Sequence, residues 1–163
     1  MDSNHGSLPR ACRAVADAAG AAGLGIEIRI MDASTRTAEE AAAACGCEVG
    51  QIVKSLVFQG KESGRPILLL VSGANRVKEN AVARAIGEKI VRPDADFVRE
   101  KTGFAIGGIP PLGHAQPLET WFDTSLLQYP VVHAAAGTPN AIFAVDPQEL
   151  LAACGGRAIT VHE

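Results

Sequence analysis

The sequence predicts a single α+β domain over residues 1–163, with a mixed, mainly antiparallel sheet and flanking helices. Near the centre of the chain, two apolar runs of strand length are separated by a short polar segment, which indicates a hairpin. Helical and strand patterns follow one another elsewhere without a strict βαβ rhythm, which argues against a purely parallel sheet. The length of 163 residues fits one domain better than two.

The first third of the chain predicts a helix, a strand and a short second helix. Residues 8–23 are rich in alanine and end at a series of glycines, as helices commonly do. Residues 26–30 alternate isoleucine with charged side chains, which indicates a half-buried strand. Thr37 and Glu40 have the spacing of a capping box, which begins a helix that Gly46 can end.

The centre of the chain predicts the hairpin and two more helices. Strands at 52–58 and 66–71 are joined by the polar loop 59–65. Residues 77–87 carry apolar side chains at helical spacing, and residues 94–102 predict another short helix that ends at a glycine.

The last third predicts four strands and one helix. Asp146 and Pro147 supply an N-cap and a first helical residue, and this helix runs to Cys154. The predicted strands are 118–122, 130–134, 141–145 and 158–161.

Composition predicts a folded core and argues against two classes of protein. Hydrophobic residues make up 47% of the chain, although about 28 residues are alanine, and charged residues make up 20%, which does not fit a disordered chain. No apolar run approaches the roughly 20 residues that span a bilayer. Residues 1–10 lack the pattern of a secretion signal. We therefore expect a cytoplasmic protein with no membrane partner.

The charge distribution argues against an extended nucleic-acid interface. Fifteen Lys and Arg residues are scattered among eighteen Asp and Glu residues, for a net charge of −3. Such a surface has no basic stripe that could neutralise roughly six or more phosphates along a duplex. We expect no DNA partner, whereas contact with one or two phosphates at the end of a nucleic acid needs only one or two cations.

The cysteines and histidines form no recognisable metal or redox motif. The Cys45 and Cys47 spacing fits neither a CxxC motif nor half of a zinc site, and we expect all four cysteines to be free thiols. His114 lies beside a loop and His133 lies in an apolar strand, and neither has a Ser or Cys partner at a suggestive spacing. We expect core or surface roles for both, and no metal and no cofactor.

Lys54 is the most informative single residue. The period of two in its strand places Lys54 with Ile52 and Leu56 on the more apolar face. Because burying an unpaired cation costs several kcal/mol, the ammonium should reach the rim of a cleft or meet an anion there. The alternative is an inward-pointing lysine that protects an edge strand from aggregation.

Residues 107–113, Gly-Gly-Ile-Pro-Pro-Leu-Gly, form a second candidate, named here the glycine–proline loop. The prolines fix φ and restrict the residues before them, while the glycines allow the backbone to come close to another group. Such a stiff loop could form a backbone-lined wall for a small ligand, or a rigid turn between two strands. Its candidate site residues are Gly108, Ile109, Pro110, Pro111 and Gly113.

Three further residues are weaker candidates. Gly137 and Thr138 lie in a turn by composition, and the Thr138 hydroxyl could bind a ligand or serve the turn. Asp123 follows a predicted strand, where it could cap the next segment or point into the same cleft.

Taken in order, these residues resemble a known family. Lys54 within Val-Lys-Ser-Leu-Val-Phe is followed about fifty residues later by the G-x-x-P-x-G run at 108–113, and then by Ala-Ala-Gly-Thr-Pro-Asn. This pattern resembles the YbaK/ProX family of aminoacyl-tRNA deacylases, and is similar to the editing insertion domain of bacterial prolyl-tRNA synthetases. The resemblance covers residues 26–161 and implies a YbaK-like fold.

The resemblance also implies a function. It implies trans-editing hydrolysis of the ester of a mischarged tRNA, with proline tRNA carrying a smaller amino acid such as Ala or Cys as the expected substrate. In that family the lysine that matches Lys54 contacts the terminal adenosine end, and the loop that matches Gly108 holds the aminoacyl group through its backbone. Residues around Gly137 border the same pocket. Water attacks with help from the ribose hydroxyl of the substrate, without a metal or a covalent protein nucleophile.

The expected partners are the mischarged acceptor end and a prolyl-tRNA synthetase. The middle of the loop, Ile-Pro-Pro, does not identify the edited amino acid, since one methylene changes binding by only about 1–3 kcal/mol. Two alternatives remain open: a non-catalytic module that binds an acceptor end or a synthetase, and a hydrolase for another small acyl ester.

Overall fold

A computed structural model describes residues 8–162 and contains one mixed sheet of eight strands. The strands are β1 (Arg29–Ile30), β2 (Ile52–Gly60), β3 (Pro66–Ser72), β4 (Ile90–Val91), β5 (Glu119–Asp123), β6 (Val132–Ala135), β7 (Ala141–Val145) and β8 (Arg157–Ile159). Their order in the sheet is β1-β7-β6-β2-β3-β5-β8, and β4 pairs with β2 outside this order. Among these residues four strand pairings are antiparallel and three are parallel, which confirms the predicted fold class.

The predicted hairpin forms the centre of the sheet. Strands β2 and β3 are antiparallel, with Lys54 opposite Val71 and Phe58 opposite Ile67. Strand β3 lies between β2 and β5, and its five residues from Ile67 to Val71 are fully buried because both faces of the sheet are covered. Val53 packs into the larger hydrophobic cluster and Phe58 into a second one, as the period of two predicts.

The five predicted helices form, and local signals set their ends. The Glu40 N–H donates to Thr37 Oγ1 over 3.1 Å and the Thr37 N–H donates to Glu40 Oε1 over 3.3 Å, which is the predicted capping box. Asp146 caps the last helix. The helices are α1 (Arg10–Ala21), α2 (Ala38–Cys45), α3 (Glu79–Ile86), α4 (Ala95–Thr102) and α5 (Pro147–Cys154).

Some elements differ from the sequence prediction. The strand expected over 26–30 is paired only at Arg29 and Ile30, although Ile28 is buried. Strand β4 and the 3₁₀ turns Val49–Gln51 and Thr124–Gln128 were not predicted, because segments this short have no measurable period. Residues 1–7, part of the stretch from which no secretion signal is predicted, lie outside the described residues.

The alanines of α1 allow two loops to approach the helix closely. A Cβ on Gly137 would lie 2.9 Å from the Ala11 carbonyl oxygen, and a Cβ on Gly113 would lie 3.3 Å from the Ala18 Cβ. Helix α1 therefore supports both the glycine–proline loop and the turn at 137–140. None of the helices within residues 8–162 combines the length and apolar character needed to cross a membrane.

Candidate functional site

A cavity of about 390 Å³ lies beside β2. This volume is within the range of small-molecule sites. Four segments form its walls: β2, the stretch from Thr35 to the first turns of α2, part of the glycine–proline loop with Ile106 before it, and the strands β6 and β7. Its lining includes Arg36, Glu39, Lys54, Ser55, Gly107, Ile109, His133 and Ile142.

Lys54 lies in the wall of this cavity with one hydrogen bond. Its Nζ donates to the Asn75 carbonyl oxygen over 2.8 Å, and it forms no ion pair with a carboxylate among residues 8–162. Burial lowers the pKa of Lys54; the charge of Glu39 raises it, that of Arg76 lowers it and that of Asp123 raises it. The ammonium therefore has donor capacity left for a ligand.

A buried network fixes the carbonyl group that holds Lys54. The Asn75 side-chain amide donates to Asp123 Oδ2 over 2.8 Å and to Ser125 Oγ over 2.9 Å. Asp123 is fully buried and also accepts from the N–H groups of Ser72 and Ser125 over 3.0 and 2.9 Å. The predicted cap at Asp123 is therefore observed, and its carboxylate acts on Lys54 through Asn75 rather than from the cavity lining.

The glycine–proline loop reaches the cavity with its first residues. Gly107 and Ile109 line the cavity, and the buried Gly108 lies between them. The Gly108 carbonyl accepts from the Gly137 N–H over 2.9 Å. A Cβ on Gly108 would lie 2.8 Å from the backbone N, Cα and C of Thr138, so this position excludes any side chain.

Several predicted site residues lie behind the cavity wall. The Thr138 hydroxyl donates to Asn140 Oδ1 over 3.0 Å, and the Pro110 carbonyl accepts from His114 Nε2 over 2.8 Å. Pro111 and Gly113 line a separate cavity of about 360 Å³. The structure thus brings Lys54, Gly108 and Ile109 together. Direct contact of a ligand with the others, Pro110, Pro111, Gly113, Gly137, Thr138 and Asp123, stays a prediction.

The cavity lining includes His133 and Arg36, neither of which was predicted as a site residue. His133, expected in the core or at the surface, is 8% exposed and lines the cavity, and its Nδ1 has no hydrogen-bond partner within residues 8–162. Burial and then the positive charge of Arg29 lower the pKa of His133, which favours the neutral form of the ring. The only signal in the sequence was a polar residue within an apolar strand. Arg36, at the cavity mouth, gave no signal.

The arrangement suits binding and polarisation more than covalent catalysis. Ser55 lines the cavity, but its hydroxyl oxygen is buried and makes no hydrogen bond within the described residues, so it lacks the base that would activate it as a nucleophile. The cavity instead offers one ammonium, a neutral imidazole and fixed backbone groups. Such preorganised groups can stabilise charge that develops on a bound ester.

Comparisons with known proteins find one matching family model and similar solved structures. Residues 32–153 match the family model described as "Aminoacyl-tRNA editing domain", a span that includes Lys54 and the glycine–proline loop. A crystal structure of a candidate trans-editing enzyme for prolyl-tRNA synthetase is 48% identical, with a TM-score of 0.90 over 96% of this chain and 99% of that chain.

Two curated relatives are more distant. The uncharacterized protein YwhH of Bacillus subtilis (strain 168) is 32% identical over 124 residues, which are 76% of this chain and 78% of YwhH. EbsC of Enterococcus faecalis (strain ATCC 700802 / V583) is named as a candidate Cys-tRNA(Pro)/Cys-tRNA(Cys) deacylase. It is 27% identical over 122 residues, 74% of each chain.

Proposed function

This chain belongs to the aminoacyl-tRNA editing domain family, as its sequence resemblance indicated, and we propose that it is an aminoacyl-tRNA deacylase acting in trans. The observation that carries this proposal is the Lys54 ammonium in the wall of a small cavity, with no carboxylate partner among residues 8–162. The glycine–proline loop borders the same cavity, and its residue 108 has no room for a side chain. The substrate we propose is proline tRNA that carries a smaller amino acid such as Ala or Cys. The similarity to the candidate trans-editing enzyme for prolyl-tRNA synthetase and to EbsC supports this choice.

The dimensions and charges of the site fit such a substrate. A volume of about 390 Å³ admits a small aminoacyl group and the adjoining ribose, while the rest of the tRNA stays outside. During hydrolysis, the water oxygen bonds to the ester carbon and the water gives up one proton. The bond from that carbon to the ribose oxygen then breaks, and the ribose oxygen takes up one proton, so the products are the free amino acid and the ribose hydroxyl. Negative charge develops on the carbonyl oxygen in between. Lys54 and the backbone at Gly108 are the groups we assign to binding and stabilising the ester end.

The test is a deacylation assay with proline tRNA charged in turn with Ala, Cys, Ser and Pro. We expect hydrolysis of one or more of the small non-cognate esters to exceed that of the Pro ester. Lys54→Ala should lower the rate about 10²–10³-fold, as loss of a preorganised donor does. Lys61→Ala, an exposed lysine at the other end of the same hairpin, is the matched control and should leave the rate unchanged.

Two results would contradict the proposal. Tight binding of the charged tRNAs without hydrolysis of any ester would favour the non-catalytic module. Full activity in Lys54→Ala would remove the role given to this residue. Because the chain has a net charge of −3, we also propose that a prolyl-tRNA synthetase helps to deliver the tRNA. Adding the synthetase should then raise the rate at low tRNA concentration.

A further inference from the structure

The side chain of Arg36 lies across the glycine–proline loop at the cavity mouth. Its Nε, Cγ and Cδ atoms lie 3.1, 3.4 and 3.5 Å from the position that a Cβ on Gly107 would take. Gly107 has φ +108°, so glycine is favoured there on backbone grounds as well. The guanidinium is therefore seated over the loop that bounds the proposed ester site.

The backbone on both sides of Arg36 is held firmly. The N–H and the hydroxyl of Thr35 both donate to the Pro139 carbonyl, over 2.7 and 2.8 Å. The Arg36 N–H donates to Ser34 Oγ over 3.2 Å, and Thr37 is the N-cap of α2. These hydrogen bonds fix the backbone of Arg36, so the fold itself places its side chain at the cavity mouth.

The charge of Arg36 has no partner within the part of the chain that the structure describes, residues 8–162. The guanidinium forms no ion pair or hydrogen bond with residues 8–162, and the nearby Glu40 carboxylate already accepts from Ser34 and Thr37. A cation just before the first turn of α2 also opposes the helix dipole, which favours negative charge at that end. Helix stability therefore does not explain an arginine here, whereas an anionic ligand does.

An apolar surface lies next to this cation. Ile106, immediately before the glycine–proline loop, also lines the cavity and is 61% exposed, more than any other large hydrophobic residue described. A guanidinium beside exposed apolar surface suits a nucleotide, since the phosphate is anionic and the base has an apolar face.

We propose that Arg36 is a substrate-binding residue that contacts a backbone phosphate of the tRNA acceptor end, while Ile106 contacts a base of the same end. This inference rests on the proposed function, because it requires that the ester lies inside the cavity and that the single-stranded acceptor end of the tRNA runs out of the cavity past Arg36. With five lysines and a net charge of −3, the chain depends on a few well-placed cations to hold a polyanion. Lys54 acts inside the cavity and Arg36 acts at its mouth.

The experiment compares a full substrate with a phosphate-free one. Hydrolysis of the aminoacyl-tRNA and of the corresponding 3′-aminoacyl adenosine is measured for wild type, Arg36→Ala and Arg36→Lys over a series of salt concentrations. Arg36→Ala should lower kcat/KM about tenfold for the tRNA, mainly through KM, and reduce the salt slope by about one. Hydrolysis of the aminoacyl adenosine should change less than about twofold. Arg36→Lys should recover most of the loss, because a phosphate accepts a point charge.

Matched variants separate the effect of the Arg36 charge from that of the apolar Ile106 side chain. Arg99→Ala removes an exposed arginine on α4, outside the cavity lining, and should leave both substrates unaffected. Ile106→Ala should weaken tRNA binding several-fold while the salt slope stays that of the wild type, since it removes apolar contact only.

Three outcomes for Arg36→Ala would overturn the inference. An equal loss of kcat/KM on both substrates would make Arg36 a positioning residue for the loop, and a salt slope equal to that of the wild type would exclude a phosphate contact. A loss of kcat/KM seen only with a synthetase present would indicate a protein partner. A parallel binding measurement uses an uncharged acceptor-end RNA hairpin and needs no hydrolysis. If the wild type hydrolyses neither substrate, the proposed function fails. Weaker, less salt-dependent hairpin binding by Arg36→Ala would still support the phosphate contact, and unchanged hairpin binding would refute it.

Discussion

Among residues 8–162, charged side chains are paired at one end of the β2–β3 hairpin and left without an opposite charge at the other. At the loop end, Arg65 pairs with Glu88 over 2.6 Å and with Glu119 over 2.8 Å. Glu88 also accepts from the N–H groups of Glu62 and Ser63 and from the Ser63 hydroxyl, over 2.7–3.1 Å. At the cavity end, the Lys54 ammonium has one carbonyl partner, and the Arg36 guanidinium has none among the described residues.

The titration behaviour of the two ends differs in the same sense. Hydrogen bonds from Ser63 lower the pKa of Glu88, so its charged form is favoured in the fold. Burial lowers the pKa of Lys54, so its charged form is disfavoured. We infer that the loop end uses its charges to stabilise the fold, whereas the cavity end keeps cations available for a ligand.

Substitution of Gly108 is expected to have the largest effect, on both stability and hydrolysis. Gly108→Ala places a Cβ 2.8 Å from the Thr138 backbone, which must separate the loop from the turn at 137–140. Such overpacking costs about 1–3 kcal/mol of stability. Displacement of the loop by about 1 Å should lower hydrolysis about 10²-fold. Urea unfolding and the deacylation assay measure the two effects.

Gly20→Ala is the control for this prediction. Within residues 8–162, nothing beyond the adjacent residues and the backbone of α1 itself lies within 4 Å of a Cβ at Gly20, so the variant should keep full activity and gain slightly in stability. Wild-type activity in Gly108→Ala would show that the close packing of loop and turn does not matter for the reaction.

A smaller effect, on stability alone, is expected from Glu88→Gln. The variant loses the charge that binds Arg65 and three other donors, so its free energy of unfolding should fall at neutral pH while hydrolysis is unchanged. Because the pKa of Glu88 is lowered in the fold, its stabilisation is present above the usual carboxyl pKa and is lost as pH falls through the lowered value. The difference between the two proteins in urea unfolding should therefore shrink on acidification.

The neighbouring Glu62 supplies the matched control. Glu62 is exposed and takes part in this network through its backbone N–H, so Glu62→Gln should unfold like the wild type. A stability difference for Glu88→Gln that stays constant from neutral to acidic pH would mean that the charge is not what stabilises the loop.

The smallest effect expected is a pair of opposite shifts in the pH profile. If the Lys54 cation is the active form, its lowered pKa places the alkaline loss of hydrolysis below the usual lysine range. The Glu39 charge raises this pKa and the Arg76 charge lowers it. In a plot of rate against pH, Glu39→Gln should therefore move the alkaline limb to lower pH, and Arg76→Gln should move it to higher pH. Both groups are exposed, so each shift should be about a few tenths of a pH unit. Shifts in the same direction would contradict the assignment of this limb to Lys54.

Most elements could be predicted because their signals are local. The Thr37 and Glu40 capping box, the Asp146 cap and the β2–β3 hairpin each depend on residues within a few positions of one another. Strand β4 could not be predicted, because its two residues are a strand only through pairing with Gln59 and Gly60, about thirty residues earlier.

The sequence by itself determined the fold class and the family, and it predicted Lys54 and Gly108 as site residues. Lys54 was predicted because a cation on the apolar face of a strand is costly to bury, and Gly108 because it lies in a stiff, glycine-rich run. The tertiary structure decided the rest of the site. His133 reaches the cavity because β6 pairs in parallel with β2, Asp123 acts through Asn75, and Arg36 lies over Gly107. These contacts join residues about 50 to 80 positions apart, so they follow from sheet order and loop packing, which no local pattern encodes.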